Sequence, residues 1–426
     1  MYLSGSKWQM NKRRRRSNPF RVILLLILIA AAVYIWQVYV PTAQPLFIPT
    51  PTPTRSPASY VLEAETLFDA GKLAQAEESY LEAIKVDPRE VTFFIELARV
   101  RVFAGKYEDA ELAARDALVI DPDSALAHAV LGWSLDFKAS LVAERTEQAS
   151  LLAEALDEVE RAIELNPSSS QARAYYAEVL IDNNISEYER ALEHAERAVQ
   201  EAPELLDTHR ALGYVWELTG NYEQAIESYE AAKAINPNLY RLHIDVGNML
   251  QAQGDVYGAI ESYKKAVSLA PTAVEPLNLI VQAYARVGEY GKASQYAKDS
   301  SDLEPNNPRL RGNLGRMYYH DNVLDEAILQ LDLAIRGGIA EDGVWVEGLP
   351  LDAPDGPDAR VVEFYYTYGL ALAKQERCQD AIPIFEALLR LVPEDEIAVF
   401  NAQEGLILCG QLEPSATPET ELTPNP

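Results

Sequence analysis

Cysteine is almost missing from this chain: Cys378 and Cys409 are the only two in 426 residues. Two widely spaced thiols make no Cys-x2-Cys metal knuckle, and they are too few for a multiply bridged scaffold. Histidine is nearly as scarce, at five, and no HExxH pair occurs. A nucleophile elbow and a glycine-rich phosphate loop are absent too, so the common carriers of hydrolytic, metal and phosphoryl-transfer chemistry are missing. Positive charge is in short supply, with 37 Lys and Arg against 65 Asp and Glu and a formal net charge of −28. Seven of those cations (Lys7, Lys12, Arg13, Arg14, Arg15, Arg16 and Arg21) lie in residues 1–40, where no acid offsets them, which leaves −35 for residues 41–426. A body this acidic repels phosphate backbones, so no nucleic acid is expected as partner. No catalytic residue, cofactor, metal or small-molecule substrate is expected either, and the chain reads as a non-enzyme.

One long apolar run is present. Residues 22–40, VILLLILIAAAVYIWQVYV, are nineteen positions with Gln37 the one strongly polar side chain. At about 1.5 Å per residue they nearly span a hydrocarbon core of about 30 Å, so they are read as a single transmembrane helix. The basic residues 1–21 precede it and the next twenty residues hold only Arg55. That asymmetry places the N-terminus in the cytosol and residues 41–426 on the outer side of the cell membrane. Tyr34, Trp36 and Tyr39 gather at the exit end, where amphipathic rings favour the headgroup layer. The run exceeds a signal-peptide core and ends in no small-x-small site, so an uncleaved anchor is expected.

Residues 41–57 contain six prolines and four threonines and should form a polyproline-like spacer reaching up to roughly 50 Å. The tail over 413–426 has the same composition and should be disordered. Between these ends prolines recur at Pro88, Pro122, Pro167, Pro203, Pro237, Pro271, Pro305 and Pro393, mostly thirty-four residues apart. Twelve residues before each stands alanine (Ala76, Ala110, Ala155, Ala191, Ala225, Ala259, Ala293 and Ala381), and Ala327 fills the slot in the unit without a proline. A second small position precedes the proline by five, from Ala83 through Ala266 to Ser300, with Leu388 in the last unit. Small residues on two facing surfaces let paired helices approach to the short end of the 8–10 Å range, and the proline stops the second helix. Gly105, Gly220, Gly254 and Gly288 stand where the chain must turn between the two helices.

With those registers in hand, the sequence resembles the tetratricopeptide repeat (TPR) family, whose pattern is W-x2-L-G-x2-Y followed by A-x3-F-x2-A-x4-P. The clearest copy runs His209, Leu212, Gly213, Trp216, Gly220, Tyr222, Ala225, Tyr229, Ala232 and Pro237. Nine units are expected, 57–90, 91–124, 125–169, 170–205, 206–239, 240–273, 274–307, 308–341 and 362–395, with a capping helix near 396–412. The resemblance implies an all-α, right-handed helical solenoid over 58–412, interrupted by insertions near 136–150 and 337–361. The first insertion should lengthen both helices of its unit, and the second should present Trp345 on a long loop.

The resemblance also implies a concave face, built from the first helix of each unit, along which a protein or peptide client lies. Carried onto this chain it comprises Arg210, Tyr214, Arg241, Asn248, Gln251, Asn278, Gln282, Arg286, Arg309, Asn313, Arg316 and Tyr319. The carboxylate clamp of chaperone-binding members is not matched, because Asp245 stands where asparagine is expected. His128, His209 and His243 share the fourth position of their units and read as packing residues. Asp352, Asp355 and Asp358 lack calcium-loop spacing and are not assigned a metal. Cys378 and Cys409 sit near the same ends of adjacent helices, and both a disulfide and two buried thiols fit that placement. The expected function is a membrane-anchored scaffold or assembly factor. The alternatives are a chaperone-like accessory of a secretion or envelope-assembly machine and, resting on the 337–361 loop alone, an enzyme or carbohydrate-binding module.

Overall fold

The computed structural model of the chain describes residues 18–39, 55–341, 343–353 and 358–413. It divides into two compact units, residues 1–55 and 56–426, each described by itself. In the first, α1 (Pro19–Tyr34) runs into one π-helical turn over Ile35–Tyr39. Asn18 starts it, its side-chain oxygen accepting from the Phe20 amide at 3.1 Å, and Pro19 occupies the first turn, where no amide is needed. The stretch Pro19–Gln37 is long and apolar enough to cross a membrane, and none of its side chains is buried. It begins three residues earlier than the apolar run alone suggests. Residues 1–17 of the expected basic segment, most of the proline-rich spacer and nearly all of the tail lie outside the described residues.

Among the described residues of the second unit the regular elements are helices but for one short hairpin. Its first five repeats pair α2 (Pro57–Asp69) with α3 (Leu73–Val86), α4 (Val91–Phe103) with α5 (Tyr107–Ile120), α6 (Ala125–Ala139) with α7 (Arg145–Leu165), α8 (Ser170–Asn183) with α9 (Tyr188–Glu201), and α10 (Leu206–Leu218) with α11 (Tyr222–Ile235). The last four pair α12 (Tyr240–Ala252) with α13 (Val256–Leu269), α14 (Val274–Arg286) with α15 (Tyr290–Leu303), α16 (Pro308–His320) with α17 (Leu324–Arg336), and α18 (Ala359–Lys374) with α19 (Cys378–Leu391). The closing helix is α20 (Glu396–Leu408). Nine helical pairs plus a cap match the expected count.

The small slots explain the stacking. All nine alanines of the first slot, Ala76 through Ala381, have no exposed surface. Ala83, Ala117, Ala162, Ala198, Ala232, Ala266 and Ala334 are likewise fully buried, with Ser300 and Leu388 completing the second slot. Where helices meet most closely even a methyl is excluded: a Cβ on Gly247 would stand 2.4 Å from the Tyr263 ring. At the turn between the paired helices Gly71, Gly105, Gly220, Gly254 and Gly288 take positive φ, and Asn322 and Glu376 hold the same slot in units eight and nine. Each proline sits just past a second helix, and in five units its carbonyl is reused. His128, His209 and His243 place Nε2 against the oxygen of Pro122, Pro203 and Pro237 at 3.0, 2.8 and 2.9 Å. Arg173 and Arg311 donate to Pro167 and Pro305 in the same six-residue register. The fourth-position histidines are therefore polar staples across the unit boundary as well as packing groups.

Three features depart from a regular array. The unit-three insertion lengthens both helices, α6 with 15 residues against 13 in α4 and α7 with 21 against 14 in α5. The Glu144 carboxylate caps α7 through the Thr146 and Glu147 amides. The 337–361 segment is not a plain loop. It folds into a two-stranded antiparallel hairpin, β1 (Gly338–Ile339) and β2 (Trp345–Val346), with Ile339 opposite Trp345. Val346 and Leu351 are buried beneath it while Trp345 stays 66% exposed. The third departure is closure. Asn236 Nδ2 donates to the Phe68 carbonyl at 3.2 Å, Asn238 Nδ2 to Asp69 at 2.8 Å, and Arg241 Nε to Phe103 at 3.0 Å. Side chains at the boundary of units five and six thus cap carbonyls at the ends of α2 and α4, and a continuous core runs from Ala64 to Leu242.

Candidate functional site

Closure fills the inner face of the N-terminal units with the chain's own side chains. Trp133 stacks on Tyr175 at 4.3 Å, and the Arg210 guanidinium lies 4.8 Å above the Trp133 ring. Arg210 is also ion-paired with Glu178, whose carboxylate accepts from the Trp133 indole at 2.9 Å. Arg99 grips Asp207 with two bonds, 3.1 and 2.7 Å, and Tyr175 adds a third at 2.7 Å. Burial works against the charged form of Asp207, yet Arg99 and these bonds hold its carboxyl below the ordinary range.

Of the twelve groove residues expected from the repeat register, three are spent in this interior. Arg210 is buried against Glu178. The Tyr214 hydroxyl donates to both oxygens of Asp182 at 2.9 and 2.8 Å. Arg241 is tied to Phe103 and to Glu275. Arg210 and Tyr214 are met by carboxylates on α8, the first helix of the adjacent unit, and only Arg241 is reached across the closure; in each case a polar group withdrawn from water must find a partner. Arg99, Glu178 and Asp207 were not among the expected site residues. Arg99 and Glu178 stand at the ninth position of units two and four and Asp207 at the second position of unit five, so the register that selected the other groove residues would have found them.

Along units six to nine the face is different. Asn248 accepts from the Tyr263 hydroxyl at 2.8 Å and Asn278 from Ser300 at 2.9 Å, which leaves both carboxamide NH2 groups turned to other use. Arg309 pairs with Asp358 at 2.7 Å and Arg316 with Glu363 at 2.6 Å, so those two cations are already neutralised. Tyr319 lies under the Lys374 ammonium at 4.2 Å. Among the described residues Gln282, Arg286 and Asn313 have no side-chain partner, and the buried Gln251 Oε1 has none either. These are unspent donors and acceptors on three successive first helices, α12, α14 and α16, suited to a peptide backbone and its carboxylates.

A ladder of carboxylates runs between the two regions. Burial lifts Asp136 well above the ordinary range, and the neighbouring Asp182 and Glu178 add to it. Burial also raises Asp182, Glu178 and Glu217. Asp245 is pushed up to about 7, first by burial and then by Glu217. No group of described residues is arranged to hold a metal ion, and Asp358 serves instead as the cap of α18 and the partner of Arg309. Cys378 and Cys409 lie with Cα atoms 5.4 Å apart and their sulfurs bonded, which ties α19 to the end of α20.

Tetratricopeptide repeat models match residues 61–135, 147–205 and 278–342, and two further models of the same description match 207–239 and 240–272. The chain belongs to the tetratricopeptide repeat family. No curated protein matches it. Among solved structures, the human IFIT1 dimer with m7Gppp-AAAA is similar at 17% identity and a TM-score of 0.53, covering 81% of this chain and 80% of that one. The human IFIT1 dimer with PPP-AAAA gives 16%, 0.52, 83% and 82%, and yeast Tom70 gives 13%, 0.43, 84% and 82%. At these identities the IFIT1 likeness concerns the fold. A tetratricopeptide solenoid is a protein-interaction scaffold, and that coarse role follows for this chain from its family.

Proposed function

We propose that this tetratricopeptide protein is a single-pass membrane scaffold that holds an extended stretch of a client protein along the inner face of units six to nine. The observation that carries the reading is the contrast between the two halves of that face. In units one to five the inward side chains are consumed by one another, whereas Gln282, Arg286 and Asn313 keep their hydrogen-bonding capacity. The candidate span Pro19–Gln37 supports anchoring, and the basic residues before it support an N-terminus in the cytosol. The bonded pair Cys378–Cys409 supports an oxidising surrounding for the solenoid. The acidic body favours a protein client over nucleic acid.

The test places a photo-crosslinking residue at Gln282 in the full chain in native membranes, with a control at the exposed Glu223. Capture of a discrete client at Gln282 and not at Glu223, lost on Arg286→Ala with Asn313→Ala, is the expected result. Equal capture at both positions, or capture untouched by the alanines, overturns the groove. Protease shaving of intact cells reads the topology: digestion of the solenoid is expected, and its full protection overturns the outward placement.

A further inference from the structure

The seam where the solenoid closes on itself holds a cavity of about 350 Å³ between α2, α4 and the start of α10. Its wall includes the carboxylates of Glu65, Asp69, Glu96 and Glu204, together with the apolar Phe68, Val100, Leu206 and Ile235. Among the described residues Arg99 is the one cation lining it, and its Nε and one terminal nitrogen are taken up by Asp207 at 3.1 and 2.7 Å, with a longer 3.5 Å reach to Glu96. Four carboxylates therefore face the cavity without a full counter-charge. Acidic side chains alone would mark nothing more than a solvated surface. A second feature is independent of them: Tyr80 is 2% exposed, it lines the cavity, and among the described residues its hydroxyl has no hydrogen-bond partner. The Tyr80 ring is packed away while its hydroxyl keeps a little accessible surface, so the oxygen opens on the cavity and no described protein group satisfies it.

We infer that this cavity receives one basic side chain, lysine or arginine, of a partner polypeptide. The phenol oxygen and the Glu96 carboxylate accept from the cationic head, the rim carboxylates of Glu65, Asp69 and Glu204 supply counter-charge, and the methylene stem lies on Phe68 and Ile235. The mixed wall is what favours a side chain on a polypeptide over a free polyamine, whose successive charges would have to cross the apolar part. Occupation would bridge units one and two to unit five, so the bound partner also reinforces the seam. The site is separate from the groove of units six to nine and stands or falls independently of it.

The experiment is calorimetric titration of the full chain in detergent micelles with the peptide acetyl-Gly-Arg-Gly-amide. The comparison is its citrulline counterpart, which keeps shape and loses charge. Spermidine forms a third arm. Binding of the arginine peptide and not of the citrulline peptide is expected. Glu65→Gln with Asp69→Asn, both at exposed positions, should weaken it about tenfold, the loss of about 1.4 kcal/mol. Tyr80→Phe removes only the hydroxyl and should cost about threefold, roughly one ordinary hydrogen bond. Glu223→Gln with Glu227→Gln, which removes equal charge elsewhere, should change nothing, and helical melting confirms that each variant is folded. Equal binding of the citrulline peptide, or full binding by the Glu65/Asp69 variant, overturns the site. Spermidine binding far tighter than the peptide at the same carboxylates overturns the polypeptide origin of the cation.

Discussion

At the scale of single residues the fold depends on side chains that are small where bulk would separate helices. Ala225 is fully buried and sits in the slot that repeats nine times. Replacing it by leucine inserts three heavy atoms between α11 and its neighbours, where the Tyr229 ring already lies 2.8 Å from a Cβ placed on Gly213. Overpacking of this kind costs about 1–3 kcal/mol. Ala225→Leu should therefore lower the melting midpoint, read by circular dichroism at 222 nm, whereas leucine at the exposed Glu227 should leave it within error. These slots were legible in the sequence because a period of thirty-four residues makes each alanine a ninefold repeated observation. The fourth-position histidines were read less completely. Their register was plain, but their bond to a proline carbonyl six residues earlier depends on that carbonyl being left free where the helix ends, which spacing alone does not reveal.

At the scale of elements the decisive contact is the clasp between the boundary of units five and six and the ends of α2 and α4. A helix C-terminus leaves carbonyls without intrahelical partners, and here Asn236, Asn238 and Arg241 supply the donors. The approach is close, since a Cβ on Gly71 would meet the Asn238 oxygen at 2.2 Å. Asn236→Ala with Asn238→Ala should cost about 1–3 kcal/mol for each carbonyl that loses its partner while buried. Local opening should follow, so hydrogen exchange in α2 and α3 should accelerate while α14 to α17 keep their protection. Uniform acceleration across the chain would show that the clasp is not a local element. None of this closure could be read from the repeat pattern. The register fixes the contacts of each unit with the next, whereas small rotations accumulated over five units decide whether the first meets the sixth. The same limit explains the groove: the register proposes which slots point inward, but which of them still face solvent is a property of the superhelix.

For the whole molecule, the consequence is a stability that depends on pH in an unusual direction. The acidic body was plain in the sequence, and the placement of its carboxylates inside the closed turn was not. Most of the strongly buried carboxyls, Asp136, Asp182, Glu178, Glu217 and Asp245, have been raised above their ordinary values by burial, and Asp207 is the principal exception. For Asp245 the folded value is about 7 and the reference value is 3.8. Between those two values the folded chain keeps a proton that the unfolded chain has released, so unfolding sheds protons and stability falls as pH rises. The penalty is absent below the unfolded value and complete above the folded one. Asp207 acts oppositely, because its depressed carboxyl adds stability that is lost only as pH drops below about 4, outside the same window. The melting midpoint should accordingly be higher near pH 5.5 than near pH 8. Asp245→Asn removes one of the raised carboxyls without changing its shape, so it should raise the midpoint near pH 8 by about 1–2 °C for each kcal/mol recovered and reduce the slope between the two pH values. The measurement is a series of thermal melts at fixed ionic strength on the full chain and the variant. A flat wild-type profile, or a variant whose slope matches it, would mean that the inner carboxylates are hydrated and carry their charge in the folded protein.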